Sequence, residues 1–162
     1  HVVGTGRIEA ELKRLATDLG LDDRVVWHGF QKDVRSFLRR ADVFLLPSLR
    51  EWLPNTLLEA MAEGLACLAR NVGGVSECWP QGQPRLLLPE NATQDDFARA
   101  MSGILAMPAE NLRALKTDFW THASSNSLRR MTDLVEDFFQ ASVTGNIAFR
   151  TDHADTSREN RL

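Results

Sequence analysis

Short apolar runs alternate with longer, helix-spaced segments along most of this chain. These runs read as strands, and they are His1–Val3, Arg24–His28, Val43–Leu46, Ala66–Ala69 and Leu86–Leu88. An unbroken apolar run such as Val43–Leu46 suits a parallel strand covered on both faces. Apolar residues that recur every three or four positions, as on one face of a helix, occupy residues 8–19, 34–40, 54–64, 97–105 and the stretch from 108 onwards. Strands that alternate with helices through short connections predict an α/β fold with a parallel sheet and helices on both faces.

The C-terminal part of the pattern predicts helices followed by a tail. Thr93 and Asp96 have the spacing of a capping box at a helix start. The last helix-spaced segment covers residues 128–139, and no periodicity continues beyond Gly145. We therefore expect one lobe over residues 1–142, with terminal helices from about residue 108, and a flexible tail over residues 143–162.

Composition and charge narrow the class of protein. The 162 residues, of which 43% are hydrophobic, suffice for one domain or for one lobe of a larger protein. Because the first residue is His1 inside a predicted strand, we expect an N-terminally truncated chain. The formal net charge of -3 offers no positive field for nucleic acid, which is excluded as the main partner. No apolar run approaches the ~20 residues of a membrane span, so we expect a cytoplasmic protein with at most peripheral contact with the inner membrane face.

The cysteines indicate no metal centre. Cys67 and Cys78 lack the paired spacing of a zinc site and are too few for a disulfide framework. Cys67 lies inside an apolar run, which predicts a small buried hydrophobe rather than a reactive thiol.

The densest set of polar residues follows the third predicted strand. In a parallel sheet of this kind, ligands bind at the carboxyl ends of the strands. Glu51 lies in the loop after this strand, and Glu59 lies in about the second turn of the next helix. That helix begins near Pro54, so the N–H groups of Asn55, Thr56 and Leu57 and the helix dipole predict a phosphate site. Spacing alone equally allows a solvated loop acid at Glu51 and a charge near a helix start at Glu59.

The segment 47–64, read with its neighbours, resembles the two-glutamate signature of the retaining nucleotide-sugar glycosyltransferases of family 4. Other motifs that resemble the same family follow in the same order along the chain, at residues 2–6, 25–30, 33–34, 41–43 and 71–77. The resemblance implies a Rossmann-like, donor-binding C-terminal lobe of a two-lobed GT-B enzyme whose N-terminal acceptor lobe is missing from this chain.

The same resemblance implies roles for individual residues. Glu51 would be catalytic, facing the donor sugar, and Glu59 would bind the ribose hydroxyls. The diphosphate would lie on the helix start, the base would lie beside the loop after His28, and the substrate-binding set would be Pro54, Asn55, Thr56, Leu57, Glu59, Gly4, Gly6, His28 and Arg50. Arg50 is either a phosphate contact or a solvent-facing loop residue.

The implied reaction needs neither a cofactor nor a metal. The donor substrate is a nucleotide-diphosphate sugar, and the acceptor is a glycan, a lipid or a small molecule. The chain lacks the Arg and Lys that the family uses on the diphosphate, so it is expected to be inactive by itself.

Two other readings remain open from the sequence. Trp52 stands where the family usually has glycine, which allows a degenerate lobe that binds a nucleotide or a partner without transferring sugar. Gly4-Thr5-Gly6 suggests a nicotinamide-dependent oxidoreductase, but Glu9 occupies the position of the third glycine in that motif.

Overall fold

A parallel sheet of three strands in the order β1-β2-β3 forms the centre of the fold. The strands are β1 (Val43–Leu46), β2 (Ala66–Arg70) and β3 (Leu87–Leu88). The structure, a computed structural model, describes residues 1–125, and residues 1–124 form one compact unit. The predicted helix at 128–139, the lobe boundary at 142 and the tail at 143–162 lie outside the described residues.

Helices surround the sheet at the places that the apolar spacing predicts. They are α1 (Glu9–Asp18), α2 (Arg35–Leu38), α3 (Asn55–Ala62), α4 (Gln94–Leu105) and α5 (Ala109–Ser125). Short 3₁₀ turns cover Gly73–Cys78 and Pro84–Leu86, between β2 and β3.

Strand β2 is the most deeply buried element of the fold. Its residues from Ala66 to Ala69 have no exposed surface, although successive side chains point to opposite faces of a sheet. Both α3 and α4 pack against β2, and Leu57, Ala60 and Met61 form the buried face of α3. The predicted Rossmann-like parallel sheet with covering helices is therefore confirmed. Cys67 is a buried hydrophobe, as predicted, and burial raises the pKa of its thiol far above the usual range.

The first two predicted strands are much shorter than the apolar runs indicate. They reduce to one parallel bridge between Val2 and Trp27, with hydrogen bonds on either side of it. Val2 and Val26 are 39% and 44% exposed, so the apolar cover that stabilises a two-sided strand is absent here among the described residues. Helix α1 shares this exposure: its helix-spaced residues Ile8, Leu12, Leu15 and Leu19 face solvent.

The predicted capping box at the start of α4 is confirmed. The Thr93 hydroxyl accepts a hydrogen bond from the Asp96 N–H, and the Asp96 carboxylate accepts one from the Thr93 N–H. These reciprocal bonds satisfy N–H groups that a helix start leaves without intrahelical partners.

Within residues 1–125, the helices are all too short or too polar to cross a bilayer.

Candidate functional site

The loop that carries Glu51 rests against a pair of glycines in the loop after β2. A Cβ atom added to Gly73 would lie 1.6 Å from the Glu51 carbonyl oxygen, and one added to Gly74 would lie 2.2 Å from the Trp52 carbonyl oxygen. Gly73 also has a φ of +53°, a conformation that side chains disfavour. Only glycine therefore fits at this contact, which fixes the main chain of Glu51 and Trp52. Both glycines lie in the family-like motif at residues 71–77, but neither belongs to the predicted site.

The side chains of this loop are open to a ligand. The Glu51 side chain is half-buried and forms no hydrogen bond or ion pair with another described residue. Arg50 is exposed, as in the solvent-facing alternative, and Trp52 is 94% exposed. A half-buried carboxylate without a protein partner is free to accept hydrogen bonds from hydroxyl groups of a ligand.

The start of α3 offers fewer free N–H groups than the sequence suggests. The Asn55 N–H donates to the Leu53 carbonyl oxygen at 2.9 Å, and the Leu57 N–H donates to the Pro54 carbonyl oxygen at 2.9 Å. The reason is a tight turn at Leu53–Pro54, which folds both carbonyl groups back onto the helix start. The Thr56 N–H donates to no other described residue.

This arrangement leaves one free amide at the predicted phosphate site. Of the three proposed amides, Thr56 alone keeps a free donor in the described structure, and no side chain caps the helix. Pro54 and Leu57 are buried, and the Leu57 side chain belongs to the hydrophobic core. The dipole of α3 still adds partial positive charge beside Thr56.

Glu59 faces an open groove between α2 and α3. The groove has a volume of about 350 Å³, and its lining includes Lys32, Asp33, Arg35, Glu59 and Glu63. Glu59 and the loop after His28, through Lys32 and Asp33, therefore line the same groove. Glu59 forms no hydrogen bond or ion pair through its carboxylate within residues 1–125.

An ion-pair cluster, which the sequence did not predict, links α2 to the end of α3 beside this groove. Arg35 of α2 and Arg39, which directly follows α2, both pair with Glu63, which directly follows α3, and the Arg39 Nε to Glu63 Oε2 distance is 2.8 Å. The hydrogen bond from Arg39 lowers the pKa of Glu63 below its usual value, and Arg35 adds to the shift. These partners are far apart in sequence, so no local spacing identifies them.

Arg70 connects the loops at the carboxyl edge of the sheet. Its Nη1 donates to the carbonyl oxygens of Glu90 and Ala92, each at 2.7 Å, and its Nε donates to the Pro47 carbonyl oxygen at 3.4 Å. The loops after β1 and β3 are thereby joined through one side chain. A charged residue that ends an otherwise apolar strand is the signal that could have identified it.

The predicted residues of the first two loops also come together. The Gly4 N–H donates to the Gly29 carbonyl oxygen at 2.7 Å, and the Gly6 carbonyl oxygen accepts from the Glu9 N–H at 3.1 Å. The His28 ring stacks on His1 and meets the Phe37 ring edge-on, with centroid distances of 5.1 and 4.6 Å. These contacts give His28 a structural role, and its place beside a base stays a prediction.

Within residues 1–125, no group of three or more His, Cys, Asp or Glu side chains lies close enough to hold a metal ion.

One family model matches most of the chain. The family model described as "Glycosyl transferases group 1" covers residues 1–107, which include both glutamates and the glycine pair. The chain belongs to this glycosyltransferase family. The predicted resemblance to glycosyltransferases is confirmed at this level.

Two curated relatives of the chain are bacterial glycosyltransferases. The lipopolysaccharide core biosynthesis glycosyltransferase LpsE of Rhizobium meliloti (strain 1021) is 32% identical over 132 residues, which cover 82% of this chain and 38% of LpsE. An Escherichia coli UDP-Gal:alpha-D-GlcNAc-diphosphoundecaprenol alpha-1,3-galactosyltransferase is 35% identical over 101 residues, with 62% and 26% covered. The chain thus spans well under half the length of these relatives.

Solved structures show the same fold. WaaG, a glycosyltransferase involved in lipopolysaccharide biosynthesis, superposes with a TM-score of 0.70 at 24% identity, over 85% of this chain and 36% of WaaG. Anabaena HepE in complex with UDP-glucose gives a TM-score of 0.72 at 21% identity, over 86% of this chain and 40% of HepE.

Proposed function

We propose that this chain is the donor-binding lobe of a retaining glycosyltransferase, which transfers sugar from a nucleotide-diphosphate sugar to a glycan, lipid or small-molecule acceptor. An N-terminal acceptor lobe would complete the enzyme. The observation that carries the proposal is the helix start of α3, where one free amide lies between two glutamates without protein partners. Family membership supports the transferase class, and the HepE complex supports UDP-glucose as a ligand of this fold in that protein.

The proposed donor lies along α3. The Thr56 N–H and the helix dipole bind the diphosphate, since both favour an anion at a helix N-terminus. Glu59 lies three residues further on, roughly 4.5 Å along the axis, and accepts hydrogen bonds from the ribose hydroxyls in the groove that it shares with Lys32 and Asp33. The base then lies along the segment after His28.

Glu51 is the proposed catalytic group. Its main chain is fixed by Gly73 and Gly74, so the residue that carries the carboxylate keeps one position before the donor arrives. A preorganised carboxylate beside the donor sugar stabilises positive charge that develops at the anomeric carbon, because it needs little reorganisation during the reaction.

Thermal unfolding with a panel of ligands tests the proposal. We expect one of UDP, GDP, ADP or dTDP, or its glucose ester, to raise the unfolding temperature of this chain. A ligand at about 100 times its dissociation constant contributes about 2.7 kcal/mol, or roughly 5 to 10 °C for a chain of this size. NAD serves as the control for the oxidoreductase reading.

A matched pair of variants locates the binding site. Glu59→Gln should abolish the shift, whereas Glu110→Gln, at an exposed position in α5, should retain it. Both changes replace a helical glutamate by a residue of similar helix propensity. Equal shifts in Glu59→Gln and the wild type, or no shift with any nucleotide, would contradict the proposal.

A further inference from the structure

The Trp52 side chain is almost fully exposed to solvent. Its side chain is 94% exposed, and its neighbours Leu49 and Leu53 are 76% and 60% exposed. Burying an indole removes about 150–250 Å² of apolar surface from water, so an exposed ring forgoes a large gain. The ring is therefore not retained for the stability of this lobe.

The backbone at Trp52 is nonetheless held in place. The Trp52 carbonyl group lies against Gly74, and the Glu51 carbonyl group lies against Gly73, where any side chain would clash. On the other side, the Asn55 N–H closes a turn onto the Leu53 carbonyl oxygen at 2.9 Å. An exposed ring on an anchored backbone is presented to whatever approaches this edge of the sheet.

We infer that the Trp52 indole is a stacking platform for a pyranose ring and determines which sugars the site accepts. The inference rests on the proposed function. A pyranose presents C–H groups on its faces and hydroxyl groups around its rim. The electron-rich face of an indole attracts the C–H groups, and the adjacent Glu51 carboxylate accepts hydrogen bonds from the rim.

The pyranose could belong to the donor or to the acceptor, and the same chemistry serves both. The test observes the indole N–H signals of this chain by ¹H–¹⁵N NMR. The chain has four tryptophans, so four signals are expected, and Trp52→Phe assigns the signal of interest. Trp120, which is 52% exposed on α5, provides an internal control.

Three sets of ligands separate the outcomes. UDP, GDP, ADP and dTDP lack a sugar beyond the ribose or deoxyribose, their glucose esters carry a donor pyranose, and methyl glycosides of glucose, galactose and N-acetylglucosamine represent an acceptor. A shift of the Trp52 signal with the glucose esters alone assigns the donor, and a shift with the glycosides assigns the acceptor. The Trp120 signal should stay unchanged throughout.

Binding constants give the size of the effect. For the sugar that moves the signal, Trp52→Ala should weaken binding by about 2- to 10-fold, and Trp52→Phe should retain part of it. Binding of the sugar-free nucleoside diphosphate and the unfolding temperature should not change.

The two proposals fail in different ways. If a nucleotide shifts the amide signals of Thr56 and Glu59 but no sugar moves the Trp52 indole, the stacking inference is overturned and the proposed function stands. If no nucleotide or sugar shifts any signal, the proposed function fails and the inference fails with it.

Discussion

Replacing Gly73 by alanine tests the contact that positions Glu51. The new Cβ would lie 1.6 Å from the Glu51 carbonyl oxygen, and the residue would keep a φ of +53°. The left-handed conformation costs a non-glycine residue about 1–2 kcal/mol. Overpacking against the fixed carbonyl group adds about 1–3 kcal/mol. We therefore expect Gly73→Ala to lower the free energy of unfolding by about 2–5 kcal/mol, a large share of the roughly 5–15 kcal/mol of a typical domain.

Three further glycines separate the two contributions. Gly64 has a φ of +74° with open space around it, so Gly64→Ala carries the conformational cost alone. Gly74→Ala carries the clash alone, because its Cβ would lie 2.2 Å from the Trp52 carbonyl oxygen. Gly82→Ala carries neither and corrects for the entropy that any glycine-to-alanine change removes from the unfolded chain.

Urea unfolding followed by circular dichroism measures the free energy of unfolding of all four variants. Gly73→Ala should be the least stable, with Gly64→Ala and Gly74→Ala between it and Gly82→Ala. If Gly73→Ala unfolds at the same urea concentration as Gly64→Ala, the glycine pair does not constrain the Glu51 loop, and the argument for a preorganised carboxylate is refuted.

Two remaining predictions concern the acidic residues. In the proposed two-lobed enzyme, Glu51→Gln should lower turnover of the proposed nucleotide-sugar donor by roughly 100-fold, because one electrostatic contact with the donor sugar is lost; a turnover equal to that of the wild type would reject Glu51 as the catalytic group. The pKa of Glu63 is lowered in the folded state, so its ion pairs stabilise above the pKa of the unfolded chain, about 4.3, and this stability is lost as the pH falls through the lowered value. The difference in unfolding temperature between wild type and Glu63→Gln should accordingly be full at pH 6 and shrink on acidification; a constant difference from pH 6 to pH 2 would contradict the assignment.

Much of the fold follows from local patterns in the sequence. The apolar run at Ala66–Ala69 predicts a strand covered on both faces, and this strand is the buried centre of the sheet. Thr93 and Asp96 predict a capping box, because the interaction joins positions only three residues apart. The glycosyltransferase family was likewise recognisable from motifs that follow one another along the chain.

The site itself depends on contacts between distant segments. Strand register pairs Leu46 with Ala69, so β1 and β2 end at the same edge, and the loops that follow them emerge side by side. That register brings Gly73 against Glu51. The parallel pairing of the strands likewise places Arg70 beside the loops after β1 and β3. Neither contact has a signature in sequence spacing.

The sequence alone therefore determined the helices and the three strands of the sheet, where the two glutamates fall along them, and which family the chain resembles. Tertiary structure decided that Gly73 lies against Glu51, that the first two predicted strands shrink to one bridge, and that Trp52 remains in solvent. The physical reason is the separation along the sequence over which each interaction acts. Helix periodicity and capping act over three or four residues. Exposure and loop contacts depend on what the rest of the fold places nearby, and no short stretch of sequence contains that information.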